Sequence, residues 1–296
     1  MDFYRDTFGD RVFNVVNYTF NFIILITVLY PLIYILSASF SDPNAVLTGQ
    51  VWLWPVTLSI EGYQAVFKYD LVWTGMFNSL FITVFGTMIN VFMTLTAAYA
   101  LSRSDLFGKN FLMFLFVFTI LFSGGLVPLY LLVRDLGIIN SRWALLLPNA
   151  IIIWNLIIAR TFFQVTIPKE LLEAAQMDGC TDIKFLMRVV IPLSAPIIAV
   201  LSLFYAVFHW NQYFHAFIFL RDKDLYTLQL VLREILVIDE VDQNMITDAE
   251  EQVRREGLRH QLKYALIVIS TFPILIVYPF VQKHFVKGVM IGSLKG

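Results

Sequence analysis

Two sets of side chains in this sequence have types and spacings suited to chemistry. The first lies in residues 168–192, PKELLEAAQMDGCTDIKFLMRVVIP, where Glu173, Asp178, Asp182, Lys184 and Arg188 belong to a charged island inside an apolar chain. Charged groups in such a setting need water or a partner to solvate them. Pro168 suits the first turn of a helix, where its missing N–H costs nothing, and Lys169 through Asp178 are good helix formers at nearly every position. Gly179 permits the left-handed backbone that ends a helix. Thr181 can cap a second short helix from about 182 to 190, with Ile183, Leu186, Val189 and Val190 on one face. Pro192 and Pro196 then turn the chain into the next apolar run. Helix, glycine corner, helix is the expected unit. On spacing alone it fits equally an amphipathic pair lying on a bilayer surface and a docking element for another protein.

The second set is FYAVFHWNQYFHAF, residues 204–217. Tyr205, His209 and Tyr213 recur every four residues, Trp210 precedes Phe214 by four, and Asn211 precedes His215 by four. Aromatic faces and amides suit a ligand that alternates apolar C–H patches with hydroxyls. The same residues also suit an interfacial belt or contacts between helices. Asn78 and Asn90 are expected to hydrogen-bond across helices, and Ser123-Gly124-Gly125 with Pro128 to break the helix that contains them.

Other chemistries have no residues to carry them. The sequence contains no G-x4-G-K-[ST] phosphate loop, so this chain cannot itself cradle ATP. Its single cysteine, Cys180, has no partner for a disulfide, and His209, His215, His260 and His284 are scattered without metal-site spacing. A net charge of -1 argues against nucleic acid. No nucleophile or acid–base pair assembles, so an enzyme is not expected.

The elements that position these residues are membrane-like. The composition is 58% hydrophobic, 16% aromatic and 15% charged, with mean hydropathy +0.73, which is that of a polytopic membrane protein. Apolar runs long enough to cross roughly 30 Å of hydrocarbon fall near 16–38, 76–101, 110–133, 143–163, 195–220 and 264–282. Their apolarity is continuous, not alternating, which selects helices over a barrel. The prediction is an all-α membrane protein with six transmembrane helices in a single domain spanning 1–296. Ser37-Ala38-Ser39 resembles a signal cleavage site, but the first run is too long and its basic flank too weak for a signal peptide. No Asp or Glu falls within the spans, whereas an ion-coupled secondary transporter is expected to carry intramembrane carboxylates.

Lys and Arg placement suggests an orientation. With the long segment 221–263 set aside, Arg5, Arg11, Arg103, Lys109, Arg160, Lys169, Lys184, Arg188 and the tail lysines share one side, against Lys68, Arg134 and Arg142 on the other. That asymmetry places the island and both termini in the cytoplasm. Trp52, Trp54 and Trp73 suit an outer interfacial belt. Residues 221–263 read as a short helix followed by an acidic solvated loop, or as a docking surface for an external protein.

The island also carries a family resemblance. Glu173-Ala174-Ala175, three residues, Gly179, nine residues, then Val189-Val190-Ile191-Pro192 resembles the E-A-A-x3-G-x9-I-x-L-P signature of permease subunits in binding-protein-dependent ABC importers. Val189 and Ile191 are the departures. GLVPLYLLVRDLGIINSRWALLLPNAI (125–151) and the tail FVKGVMIGSLKG (285–296) are similar to maltose-importer-type permeases, and within these to the group that handles oligosaccharides and acidic polysaccharide fragments such as alginate. The resemblance implies a type I ABC importer permease fold with a cytoplasmic coupling helix in segment 164–192, in a bacterial cell membrane. It implies a homologous second permease as heterodimer partner, two cytoplasmic ATPase subunits and an extracytoplasmic solute-binding protein. ATP and Mg belong to the ATPases, and this chain holds no cofactor. Carried over to these positions, Glu173 makes a polar or ionic contact with an ATPase, Ala174 and Ala175 allow close helix approach, and Asp178 and Gly179 form the corner. Tyr205, His209, Trp210, Asn211 and Tyr213 are the candidates for the substrate path. A permease for another polar solute, an amino acid or phosphate, shares the Glu173–Gly179 signature.

Overall fold

The computed structural model describes residues 7–238, 257–277 and 279. These are predominantly helical, and among them the β structure is an isolated antiparallel bridge between Ser41 and Leu58. In chain order the helices are α1 (Phe8–Ser39), α2 (Pro43–Leu47), α3 (Glu61–Lys68), α4 (Asp70–Ser102), α5 (Lys109–Leu121), α6 (Leu126–Asp135), α7 (Trp143–Leu146), α8 (Ile153–Thr166), α9 (Lys169–Met177) and α10 (Asp182–Phe185). A π-helical turn (Leu186–Val190) leads into α11 (Ile191–Leu193), α12 (Ala195–Trp210), α13 (Phe214–Phe219) and α14 (Leu228–Ile238), and α15 covers Gly257–Val277. Within the chain two compact units are distinguished, Met1–Tyr69 with Leu236–Phe272 and Asp70–Ile235 with Pro273–Gly296. No linker marks that division in the sequence.

In the first unit, α1 begins at a capping box, with Thr7 Oγ1 accepting from Asp10 N and the Asp10 carboxylate accepting from Thr7 N. Its 32 residues extend about 48 Å at 1.5 Å per residue, ample for a bilayer. From Phe8 to Leu36 the helix is largely exposed, and only Ser37, Ala38 and Ser39 are buried. Those three residues are therefore packed at a helix end. Ala38, Ala45, Val46 and Val51 form a small core. Buried Gln261 of α15 accepts from Gly62 N and donates to Ser59 O, both at 3.0 Å, which satisfies its amide away from water.

The second unit is organised on α4, which packs against α8 and α12. Leu95, Ala98 and Leu101 of α4 share a core with Leu156, Ala159 and Phe163 of α8 and Leu201 and Tyr205 of α12. Towards the other end of α4, Ile82 joins a second core with Leu145, Phe219 and Leu230. Polar groups run between these cores. Asn78 Nδ2 donates to Asp224 O at 2.7 Å and Tyr226 O at 3.0 Å, and Asn90 Nδ2 donates to Asn149 O at 2.7 Å. Both asparagines thus tie helix to chain, as expected of amides in a span. Arg160 Nε donates to Leu101 O at 3.1 Å, meeting a carbonyl in the last turn of α4 that lacks a helical partner.

The expected spans are reproduced unevenly. Three described helices are long and apolar enough to cross a membrane, Phe8–Ser39, Asp70–Ser102 and Gly257–Val277, and up to five spans result if each bent pair counts as one. Lys109–Leu121 and Leu126–Asp135 meet at 116°, at the expected Ser123-Gly124-Gly125 break, where Gly125 takes φ 84. The fourth expected span, 143–163, is not one helix. Four-residue α7 is separated from α8 by a segment containing Pro148, which has no N–H to continue the ladder. In the fifth, 195–220, α12 ends at Trp210 and the chain resumes helix at Phe214. For the sixth, the chain is already helical at Gly257, ahead of the expected 264. Residues 278 and 280–282 at its far end, the acidic stretch 239–256 and the tail 285–296 lie outside the described residues.

At Gly86 of α4 the His209 ring of α12 lies directly against the backbone. A Cβ built there would fall inside van der Waals contact with the His209 ring, which is itself 1% exposed. Gly86→Ala is expected to destabilise the fold by about 1–3 kcal/mol, because a buried ring has nowhere to move. Thermal unfolding of the purified protein followed by size-exclusion fluorescence measures it, and an unchanged midpoint would count against this packing.

Candidate functional site

The island forms a folded corner. Pro168 is the N-cap of α9 with ψ 145, so it precedes the first turn and does not occupy it. At the other end Asp178 N donates to Ala174 O, Gly179 N to Gln176 O and Cys180 N to Ala175 O, at 3.1, 3.0 and 2.9 Å. Gly179 has φ 70, the left-handed conformation that such a C-terminal cap requires. Thr181 Oγ1 then accepts from Lys184 N and starts α10. The second helix runs further than the expected 190. A π turn carries it to Leu193, with Ile191 N reaching back to Leu186 O, and Pro192 falls inside the helical run. The chain bends 83° only between Asp182–Leu193 and Ala195–Trp210.

Two kinds of anchor hold this corner. Phe185, Leu186 and Val190 are buried in the α4–α8–α12 core, with Leu172 and Ala175 packed against it. Ala175 thus faces its own chain. The second anchor is ionic: Arg103, at the end of α4, pairs with Asp105 and with Asp182 in the first turn of α10, and also donates to Tyr99 Oη at 3.1 Å. A carboxylate at a helix start further favours the helix dipole. The outward face is left to Glu173, Ala174, Asp178 and Gly179, all exposed. Among the described residues Glu173 has no hydrogen-bond or ion-pair partner. Met177 at 89% and Ile183 at 74% exposure add apolar surface beside it. A carboxylate, a methyl-sized side chain and two apolar side chains on one corner can receive another protein surface.

The second set divides in two. Tyr205 is fully buried, its hydroxyl 2.6 Å from Thr94 Oγ1 and accepting from Ile152 N at 3.2 Å. His209 Nε2 lies 3.3 Å from Asn90 Oδ1, and Trp210 is 3% exposed. These three point into their own chain. Asn211 is exposed, with Nδ2 donating to Val207 O at 2.8 Å at the end of α12, and Tyr213 is half-buried, stacked on Phe217. Sequence reasoning missed Arg103 and Asp182, whose pairing joins positions 79 residues apart. It also missed Gln212, buried and donating to Leu145 O at 3.1 Å. An amide inside an aromatic run was the available signal for Gln212. Among the described residues no group of His, Cys, Asp and Glu could hold a metal ion.

Long apolar helices, an exposed polar corner and a polar seam between packed helices are features of an integral membrane component. The chain belongs to the family described as binding-protein-dependent transport system inner membrane component, whose model matches residues 72–291. It is similar to the polygalacturonan/rhamnogalacturonan transport system permease protein YtcP of Bacillus subtilis (strain 168), 42% identical over 288 residues that cover 97% of this chain and 99% of that protein. Protein LplC of the same organism is 41% identical over 292 residues, 99% of this chain and 98% of its own length. Among solved structures, one chain in the crystal structure of a bacterial ABC transporter involved in the import of the acidic polysaccharide alginate matches with a TM-score of 0.85 at 35% identity, covering 96% of this chain and 100% of that one. The protein is therefore an all-helical, membrane-embedded permease subunit of an ABC importer, with the type I permease fold. It is not itself an enzyme, and it works with a solute-binding protein and a separate ATPase.

The ionic anchor has a defined pH response. Its hydrogen bonds to Arg103 hold the Asp105 carboxyl down at about 2, from an ordinary 3.8. A carboxyl with a depressed folded-state value contributes stability in full above its unfolded value and loses it as pH falls through the folded one. Asp105→Asn should thus melt earlier than the unaltered protein near neutrality, with the gap closing as pH drops from 3.8 towards about 2. Thermal scans across that range measure it, and a gap that does not depend on pH would remove the pair from the anchor.

Proposed function

We propose that this chain forms half of the membrane path through which an ATP-driven importer takes up an oligosaccharide delivered by an extracytoplasmic binding protein, and that α9 is its coupling helix. The observation that carries the coupling role is the outward face of α9, where Glu173 and Ala174 are exposed and Glu173 has no partner among the described residues. The carbohydrate substrate is supported by relatives named for polygalacturonan/rhamnogalacturonan and arabinooligosaccharide transport and by the alginate importer. In this scheme six spans cross the membrane, with the bent pairs counted as single spans and α7 with α8 as one broken span. Both termini and α9 lie in the cytoplasm, where two ATPases hold ATP and Mg, and a homologous second permease completes the path. Glu173 makes a polar contact with an ATPase, Ala174 permits close approach, and Ala175 holds α9 against its own core. Asp178 and Gly179 set the corner.

Gly179→Asp tests the coupling role. At φ 70 Asp costs less than the roughly 1–2 kcal/mol of most side chains, because it tolerates the left-handed region, so the corner is kept and the added charge faces the docking partner. Purified with its companions, the variant complex is expected to hydrolyse ATP while sugar uptake falls to background and the permease elutes as a folded protein. Full transport would sink the assignment, as would purification of the unaltered chain as a functional transporter with no ATPase.

The substrate path draws on the less buried part of the second set. Asn211 and Tyr213 are placed to meet sugar, whereas Tyr205, His209 and Trp210 act by fixing α12. Asn211→Ala and Tyr213→Ala should each raise the transport KM by up to about tenfold, the worth of a hydrogen bond lost to ligand. Unaltered uptake kinetics in both would take these residues off the path.

A further inference from the structure

Where α4 ends, α5 begins and α8 hands over to α9, the second unit forms a half-open cavity of about 240 Å³. Its lining carries three cations, Arg103, Lys109 and Lys169, beside the polar Ser102, Ser104 and Gln164, and contains no Asp or Glu. Apolar Phe163, Ile167, Leu172 and Phe185 share the lining. The cations are held differently. Arg103 is fixed by Asp105 and Asp182, which stay out of the lining, and its side chain is 11% exposed. Lys109 Nζ donates to Arg103 O at 3.1 Å and Ser104 O at 3.3 Å, which aims the ammonium and leaves its third N–H for another acceptor. Lys169, in the first turn of α9, has no hydrogen-bond or ion-pair partner among the described residues.

Arg103 is already matched by its two carboxylates, so Lys109 and Lys169, which have no carboxylate within ion-pairing distance, are the charges that call for an anion. The number of donors suits a phosphate, which accepts several hydrogen bonds at once. Basic pockets between helix ends at the cytoplasmic surface of a membrane take lipid headgroups, and the apolar side chains of the lining match the glycerol and acyl portion next to a headgroup. We propose that this cavity binds a phosphate group, supplied by an anionic phospholipid headgroup or by a soluble phosphate, and that the bound phosphate braces α9 against the α4–α5 turn through Lys169, Lys109 and Arg103. The cytoplasmic level of the site rests on the coupling role given to α9. The composition of the inner leaflet would then set how stiffly that helix is held.

The complex is purified with its native lipids, and native mass spectrometry counts phospholipid retained on this chain in the unaltered protein, Lys109→Gln, Lys169→Gln and the distant control Lys68→Gln. Each of the first two substitutions is expected to weaken retention of phosphatidylglycerol roughly fivefold, the worth of one surface cation facing an anionic headgroup, with no change in the control. Delipidated unaltered complex is then exposed to a lysine-acylating reagent with phosphatidylglycerol nanodiscs, phosphatidylcholine nanodiscs or inorganic phosphate. Protection of Lys109 and Lys169 by phosphatidylglycerol alone upholds the site with a lipid source. Protection by inorganic phosphate upholds it with a soluble one. Equal retention in all variants together with no protection by either overturns it. Retention is read on this chain whether or not an ATPase accompanies it, so the site and the coupling role can fail separately.

Discussion

The close approach of α4 and α12 is the contact on which the second unit depends. A bilayer offers no water to satisfy a misplaced polar group, so every amide and hydroxyl within the spans must find its partner inside the protein. Helix α4 meets much of that demand, although the buried hydroxyls of Thr83 and Thr87 on it have no partner among the described residues. Asn78 binds the carbonyls of Asp224 and Tyr226, Ser79 accepts from Leu228 N, Asn90 meets Asn149 and His209, and Thr94 meets the Tyr205 hydroxyl. Gly86 lets the His209 ring lie against the α4 backbone between these contacts. In lipid, apolar surfaces gain little from one another, and a polar seam with a small residue at its centre gives two helices a unique register.

That register has a consequence at the far end of α4. Arg103, immediately after the last residue of α4, pairs with Asp182, so the core and the corner at 168–193 are joined. The inner side of the corner is tied into the α4–α8–α12 core by Phe185, Leu186 and Val190. Its outer side carries exposed Glu173, Met177 and Ile183. A corner firmly joined on one side and unsatisfied on the other has the form that the proposed coupling role requires.

Much of this was legible in the sequence because the signals are local. The Gly179 corner, the Thr181 cap and the break at Ser123-Gly124-Gly125 each depend on the backbone preference of one or two residues, and each forms as expected. Asn78 and Asn90 were legible as amides bonded within the protein because an apolar run leaves an asparagine few other uses, but Asn90 meets another helix, at His209, while Asn78 meets chain between helices at Asp224 and Tyr226. The span count was harder. Hydropathy registers how apolar a stretch is and not whether its helix is continuous, so 143–163 and 195–220 counted as whole spans. The structure interrupts the first near Pro148 and the second after Trp210.

The sequence by itself determined the membrane class, the helix–corner–helix island and the family signature, since composition and short-range spacing carry all three. Only the tertiary structure decided which side chains face outward. Tyr205, His209 and Tyr213 share one spacing, yet packing on α4 buries the first two, while the end of α12 leaves the third half-exposed. Arg103 and Asp182 stand 79 residues apart, and their pairing follows from where α4 stops relative to α10. Periodicity places residues on a face of a helix, but the neighbour that covers that face is set by contacts distant in sequence.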